Sequence, residues 1–193
     1  MPSNPPVKNS TSGPDPHRWL VLVYKTPVEP STARVRIWRR VRELGGLYVQ
    51  QAVSVFPNLP DLEQSLEELL EEIRNLSGEA YLFLAEAKST SVDEALVNGF
   101  KAQSDQEYQE ILEQLKGLLQ ELDEEARKGK YTFAEIEENE GDLAYITKWM
   151  ERAARRDFFG ADLGATVRDR LEECTAKMRE FADEVFRRTG ERP

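Results

Sequence analysis

The sequence predicts an α+β protein: a ferredoxin-like βαββαβ domain packed against a C-terminal α-helical hairpin or three-helix bundle. Three observations carry that prediction. Short runs rich in Val, Leu, Tyr and Phe recur between residues 19 and 85, too brief for helices and bounded by Pro or Gly. Two amphipathic helical patterns alternate with them. Beyond residue 88 no such run recurs, and apolar residues fall at the three- and four-residue steps of packed helices.

Residues 1–17, MPSNPPVKNSTSGPDPH, lack apolar periodicity and are expected to form a disordered tail that ends in the sole histidine, His17. A solvated linker role is expected for that histidine. Trp19 to Tyr24 is a six-residue apolar run, suited to a buried strand. Pro27 and Pro30 break it, and Ser31 or Thr32 can cap the following helix. That helix is dense in arginine and ends at Gly45-Gly46. At about 100° per residue, Ala33, Ile37, Val41 and Leu44 share one side, bordered by Trp38. Arg36 and Arg39 point the opposite way, with Arg40 and Arg42 on the flanks, while the phase of Arg34 falls inside the apolar arc.

LYVQQAVSVFP (47–57) reads as two strands, 47–50 and 52–56, joined tightly at Gln51. Asp61 with Gln64 suggests a capping box for a second helix, whose buried stripe is Leu62, Leu66, Leu69, Leu70 and Ile73. Ser77-Gly78 ends it, and Glu79 to Ala85 is the fourth strand. The ferredoxin-like domain thus spans 18–88. A helical domain, 89–193, opens with a polar linker and a short helical turn near Val92. Ser104 is then expected to cap a long helix through Leu122, and Thr132 with Glu135 a second one, interrupted near Gly141. Val167, Leu171, Cys174, Met178, Phe181 and Val185 mark a third, with turns at Gly129 and Gly160.

The formal net charge of −10 conceals an asymmetry. Residues 18–56 carry +5 and residues 57–193 carry −15. So acidic a chain does not bind nucleic acid or anionic membrane indiscriminately, and anion recognition must be local. No apolar run is long enough to span a membrane. The N-terminal stretch lacks the apolar core of a signal peptide, and a single cysteine suits a reducing compartment, so a cytoplasmic location is expected.

Catalytic constellations are thin, and no enzymatic activity, metal or cofactor is expected. Cys174 sits on an apolar seam without a histidine to activate it. The paired glutamates Glu67-Glu68 and Glu71-Glu72 fall opposite a leucine stripe, where charge runs are usually solvated. Arg152, Arg155 and Arg156 near a helix end complement its dipole, and Phe158-Phe159 after them suggests an apolar plug between the two halves. Two roles fit Arg34. It can lay its stem on the core and pair with a carboxylate or carbonyl, or it can bind an anion beside the helix start. Charged residues near helix ends usually find structural partners, which favours scaffolding.

The run WLVLVYKTPVEPSTARVRIWRRVRELGGLYVQQAVSVFP, followed by Ser77-Gly78-Glu79-Ala80, resembles the N-terminal domain of the ChrB chromate-resistance proteins. SDQEYQEILEQLKGLL and ARRDFFG resemble its helical continuation, so the likeness covers roughly residues 18 to 190. The first half is more distantly similar to the ferredoxin-like domains of PaaX-type repressors and of small CRISPR-associated nucleases. Those nucleases place a metal-binding aspartate after the first strand's tyrosine, where this chain has Lys25. Members of the ChrB family commonly continue into a C-terminal domain beyond the extent of this sequence. PaaX-type repressors carry a winged helix ahead of the sheet, and residues 1–17 are too few for one. The resemblance implies a cytoplasmic protein of chromate resistance, in some members a chromate-responsive transcriptional regulator. DNA-phosphate contacts would then fall to Arg36, Arg39, Arg40 and Arg42, and chromate or another oxyanion to Arg34. The alternative is a non-catalytic interaction or structural module without DNA binding of its own. An open sheet edge or face would suit a homodimer.

Overall fold

An unbroken apolar run gives the first strand two apolar faces, and the second face decides what surrounds it. In the computed structural model, which describes residues 18–27, 29 and 31–190, the elements in chain order are β1 (Arg18–Lys25), α1 (Ser31–Glu43), β2 (Leu47–Gln50), β3 (Val53–Pro57), α2 (Pro60–Asn75), β4 (Glu79–Glu86), α3 (Thr90–Lys128), α4 (Phe133–Arg156) and α5 (Gly164–Thr189). The predicted tail with His17, and Pro30, lie outside the described residues. Two units divide between Leu96 and Val97, inside α3.

In the first unit the strands form a four-stranded antiparallel sheet in the order β2-β3-β1-β4. Leu20, Leu22 and Tyr24 of β1 face the same side as Phe56 and Ala80, and that side packs on Ile37 and Val41 of α1 and on Leu66, Leu69 and Ile73 of α2. Each such side chain stabilises the fold by roughly 1.5–3 kcal/mol through burial. Trp19 points to the opposite face, where its indole N–H donates to Asp93 Oδ1 at 2.8 Å and ties the first turn of α3 to the sheet. Between α1 and β2 the chain turns at Gly45, whose φ of 77° is left-handed. Gly46 lets the chain pass close to the core: a Cβ there would lie 2.6 Å from the Phe56 ring. The tight connection expected near Gln51 is a turn at Gln51-Ala52, with a bulge between Tyr48 and Gln50.

The capping box expected at Asp61 and Gln64 is absent. The helix begins one residue earlier at Pro60, and its N-cap, Leu59, offers no side-chain oxygen. Proline supplies the start instead, because its fixed φ suits the first helical position. The C-terminal end is as expected, with Ser77 at a φ of 61° and Gly78 pressed against Lys25 O.

The polar linker and separate short helix expected after residue 88 are also corrected. α3 runs unbroken for 39 residues from Thr90, and Ser104 is a buried interior position. Polar spacing at Gln103-Ser104-Asp105 imitates a cap, but no proline stops the helix, and Gly99 costs only about 1 kcal/mol. Similarly, α4 passes straight through Gly141, whose surroundings are open. The cap at Thr132 is present: its Oγ1 accepts from the Glu135 N–H at 3.3 Å.

In the second unit, α3, α4 and α5 enclose one core of Tyr108, Ile111, Leu115, Ile146, Val167, Met178 and Phe181, among others. Glu107 bonds Arg156 while Glu125 bonds Asn139, so α3 and α4 are antiparallel. Cys174 Sγ lies 3.4 Å from Leu115 O and Lys177 pairs with Asp123, so α5 runs alongside α3 in the same direction. Phe158 and Phe159 pack on Phe100, with ring centroids 6.1 and 5.4 Å away, inside this helical unit.

Candidate functional site

The arginines of α1 are held out by the residues that anchor its other side. Only Ala33, Ile37 and Val41 are buried, a stripe one residue wide, so everything beyond it reaches solvent. Arg34 is therefore exposed, and the core-facing phase expected for it is corrected. The buried arc is narrower than the apolar arc read from the sequence, and Trp38, on the same flank, is exposed as well.

The exposed side of α1 borders two cavities. One, of about 810 Å³, is lined by Arg36, Arg39 and Arg40 together with Glu43 and Glu72. Arg36 Nε is ion-paired with Glu72 Oε1 of α2, and Arg40 reaches Glu43 at 3.5 Å. Among the described residues Arg39 makes no ion pair. These pairs leave the cavity with one net positive charge. Exposed ion pairs of this kind contribute only about 0–1 kcal/mol each, so a phosphate can exchange with the carboxylates.

The other cavity, of about 620 Å³, collects Lys25 and Arg34 with Tyr24, Thr26, Trp38 and Gln51. The chain reversal at the end of β1 and the first turn of α1 place the two cations on one opening. Arg42 is not part of this lining; its guanidinium lies 5.5 Å from the centroid of the Trp38 ring, a cation–π arrangement. Tyr24 and Tyr48 share a hydroxyl–hydroxyl hydrogen bond of 2.8 Å, and burial, helped by that bond, pushes the Tyr48 phenol upward. The structure thus separates the predicted arginines into three groups: Arg36, Arg39 and Arg40 in one cavity, Arg34 in another, and Arg42 on Trp38. Sequence reasoning did not assign Lys25 a role beside Arg34. The signal was present, since a lysine closing the strand and an arginine opening the helix must meet across a short connection.

Elsewhere the titratable groups have structural roles. Burial pushes the Cys174 thiol up to about 11, leaving it unreactive as a thiolate at neutral pH. Glu107 accepts from Arg156 at 2.6 Å and from the Trp149 indole at 2.8 Å. Asp157 accepts from Tyr108 and from the Ala161 N–H. Among the described residues no group of three or more His, Cys, Asp or Glu side chains is arranged to hold a metal ion, and no helix is long and apolar enough to cross a membrane.

Residues 34–192 match the family described as "Protein ChrB, N-terminal", a span that takes in most of α1, strands β2 to β4 and all three long helices. Protein ChrB of Cupriavidus metallidurans (strain CH34) is 33% identical over 69 residues, covering 36% of this chain. The matched stretch spans about a fifth of that relative's own length, at 21%. The arginine-lined helix and the helical unit that follows it in sequence are thus those of a known family, and the chain belongs to the ChrB N-terminal family.

Proposed function

We propose that this chain is a cytoplasmic regulatory protein of chromate resistance, in which α1 contacts the DNA backbone and the Lys25–Arg34 cavity receives the oxyanion. The observation that carries the reading is the exposed arginine side of α1, on a chain of the ChrB family that is otherwise strongly acidic. Arginine suits both ligands, because its planar donors match phosphate and tetrahedral oxyanions. The antiparallel order β2-β3-β1-β4, with α1 and α2 on one face, supports a ferredoxin-like assignment for the first unit. Lys25 and Arg34 on one opening support the oxyanion assignment.

Fluorescence anisotropy with operator-length duplexes tests the DNA contact. Arg36→Ala with Arg39→Ala is expected to weaken binding about tenfold or more at low salt, nearly uniformly across sequences, and to reduce the salt slope. Absence of binding by the unmodified chain at low salt overturns it. A non-catalytic interaction module is the second reading, favoured by the carboxylates that already engage Arg36 and Arg40. Both readings give the chain a binding role and no reaction.

A further inference from the structure

Away from α1, the sheet ends in a strand with little to protect it. β4 is an outer strand of eight residues, and among the described residues no strand pairs with its far side. Between Glu79 and Glu86 its sequence, AYLFLA, holds no charge and no proline, the usual devices that blunt an exposed edge. Tyr81 and Phe83 on one face are 55% and 52% exposed, their rings 6.4 Å apart and nearly parallel. Leu84 on the other face is 55% exposed. That second face borders a groove of about 710 Å³ between β4 and α2. Its floor includes Leu82 and Leu84; its wall is Glu63, Glu67, Glu68 and Glu71, with Arg74 paired to Glu71 at 2.7 Å. Three acidic charges therefore remain uncompensated within the groove.

We propose that β4 and α2 together form a strand-addition site for an extended, cationic segment of a partner protein. The alternation of an added strand fixes the required chemistry. Side chains on the α2 side lay aliphatic stems on Leu84 and reach the glutamates with cationic heads, as lysine and arginine do. Side chains on the opposite side meet Tyr81 and Phe83 and must be apolar. The partner segment thus alternates basic and apolar residues.

Charge decides against a second copy of this chain. Pairing β4 with β4 about a two-fold axis sets the α2 glutamates of one copy on the same face as those of the other. The strand that each copy offers carries Glu79 and Glu86 and no cation to answer them. Like charges meeting across an interface suppress that association, whereas a basic strand is drawn to it.

The probe is a short synthetic peptide of alternating lysine and valine, titrated against the full chain, with an alternating glutamate and valine peptide as its control. The lysine peptide should bind and the glutamate peptide should not. Raising salt from about 50 mM to about 500 mM should weaken binding about tenfold, as should Glu67→Lys with Glu68→Lys. Both glutamates are exposed on the polar side of α2, so circular dichroism of that variant should be unchanged. Methylating the peptide nitrogens along one edge should abolish binding through loss of the strand ladder. Equal binding of both peptides, or indifference to the charge reversal, overturns the proposal. So does sedimentation showing a dimer that Phe83→Lys converts to monomer, since a second copy then occupies the edge.

Discussion

At the residue scale the decisive positions are those where space or charge leaves one solution. Arg34 lines a cavity beside Lys25, the opening proposed above to receive the oxyanion. Sulfate or chromate at fixed ionic strength is expected to raise the melting temperature of the native chain and to do little for Arg34→Ala, because ligand that binds only the folded state stabilises by mass action. Equal shifts in both proteins assign Arg34 to the scaffold. Gly46 offers the opposite case, a position with no room. Its added Cβ would meet the Phe56 ring at 2.6 Å and Val41 at 2.9 Å, so Gly46→Ala should cost about 1–3 kcal/mol in a denaturant titration. A change below ~0.5 kcal/mol would show that the ring moves aside freely.

At the element scale, the hairpin of α3 and α4 contains a carboxyl whose proton matters. Glu125 is buried, and that burial, with hydrogen bonding to Glu135, pushes its carboxyl from 4.5 up to about 7. Asn139 donates to it at 3.0 Å and partly opposes the shift, while Lys130 holds Glu135 at 3.4 Å and Glu121 adds repulsion. The folded state therefore keeps a proton that the unfolded chain releases, so the contribution of Glu125 to stability is fully present below pH 4.5 and declines as pH rises between 4.5 and about 7. Glu125→Gln should flatten that dependence, giving denaturant midpoints at pH about 5 and about 8 that differ less than in the native chain. Identical differences would place the titration elsewhere. On α2, Glu72→Gln releases Arg36 of α1 from its partner and should strengthen DNA binding about twofold, about 0.5 kcal/mol, if Arg36 touches phosphate. Element boundaries were unevenly legible. The strands stood out because Trp19–Tyr24 and Glu79–Ala85 are bounded by Pro27 and Gly78. The start of α3 did not, since a fully solvated helical turn at Thr90 has the same composition as a linker. The start of α2 was misread because a carboxylate three residues before a glutamine outweighed the proline in front of it.

At the scale of the whole molecule, the charge division read from the sequence has a structural counterpart. The basic residues of the first unit cluster on α1, while the glutamates of α2 line the opposite margin of the same unit, along the edge strand. Two surfaces of opposite sign on one sheet domain suit a protein that holds a polyanion and a second partner at once. The meeting of Lys25 with Arg34 was legible only in the short connection between strand and helix, because periodicity places residues on one helix and says nothing of a strand end beside it. Three-helix packing was legible in the steps from Val167 to Val185, since Val167, Cys174, Met178, Phe181 and Val185 are buried and Leu171 packs against them. The proposed regulation requires that the proposed oxyanion and DNA sites be coupled, and coupling is a difference in affinity. The most direct test is DNA affinity of the native chain and of Arg34→Ala, each with and without chromate at constant ionic strength. A chromate-responsive regulator shows an affinity change of about fivefold or more in the native chain and none in the variant. DNA affinity that is indifferent to chromate in both proteins contradicts it.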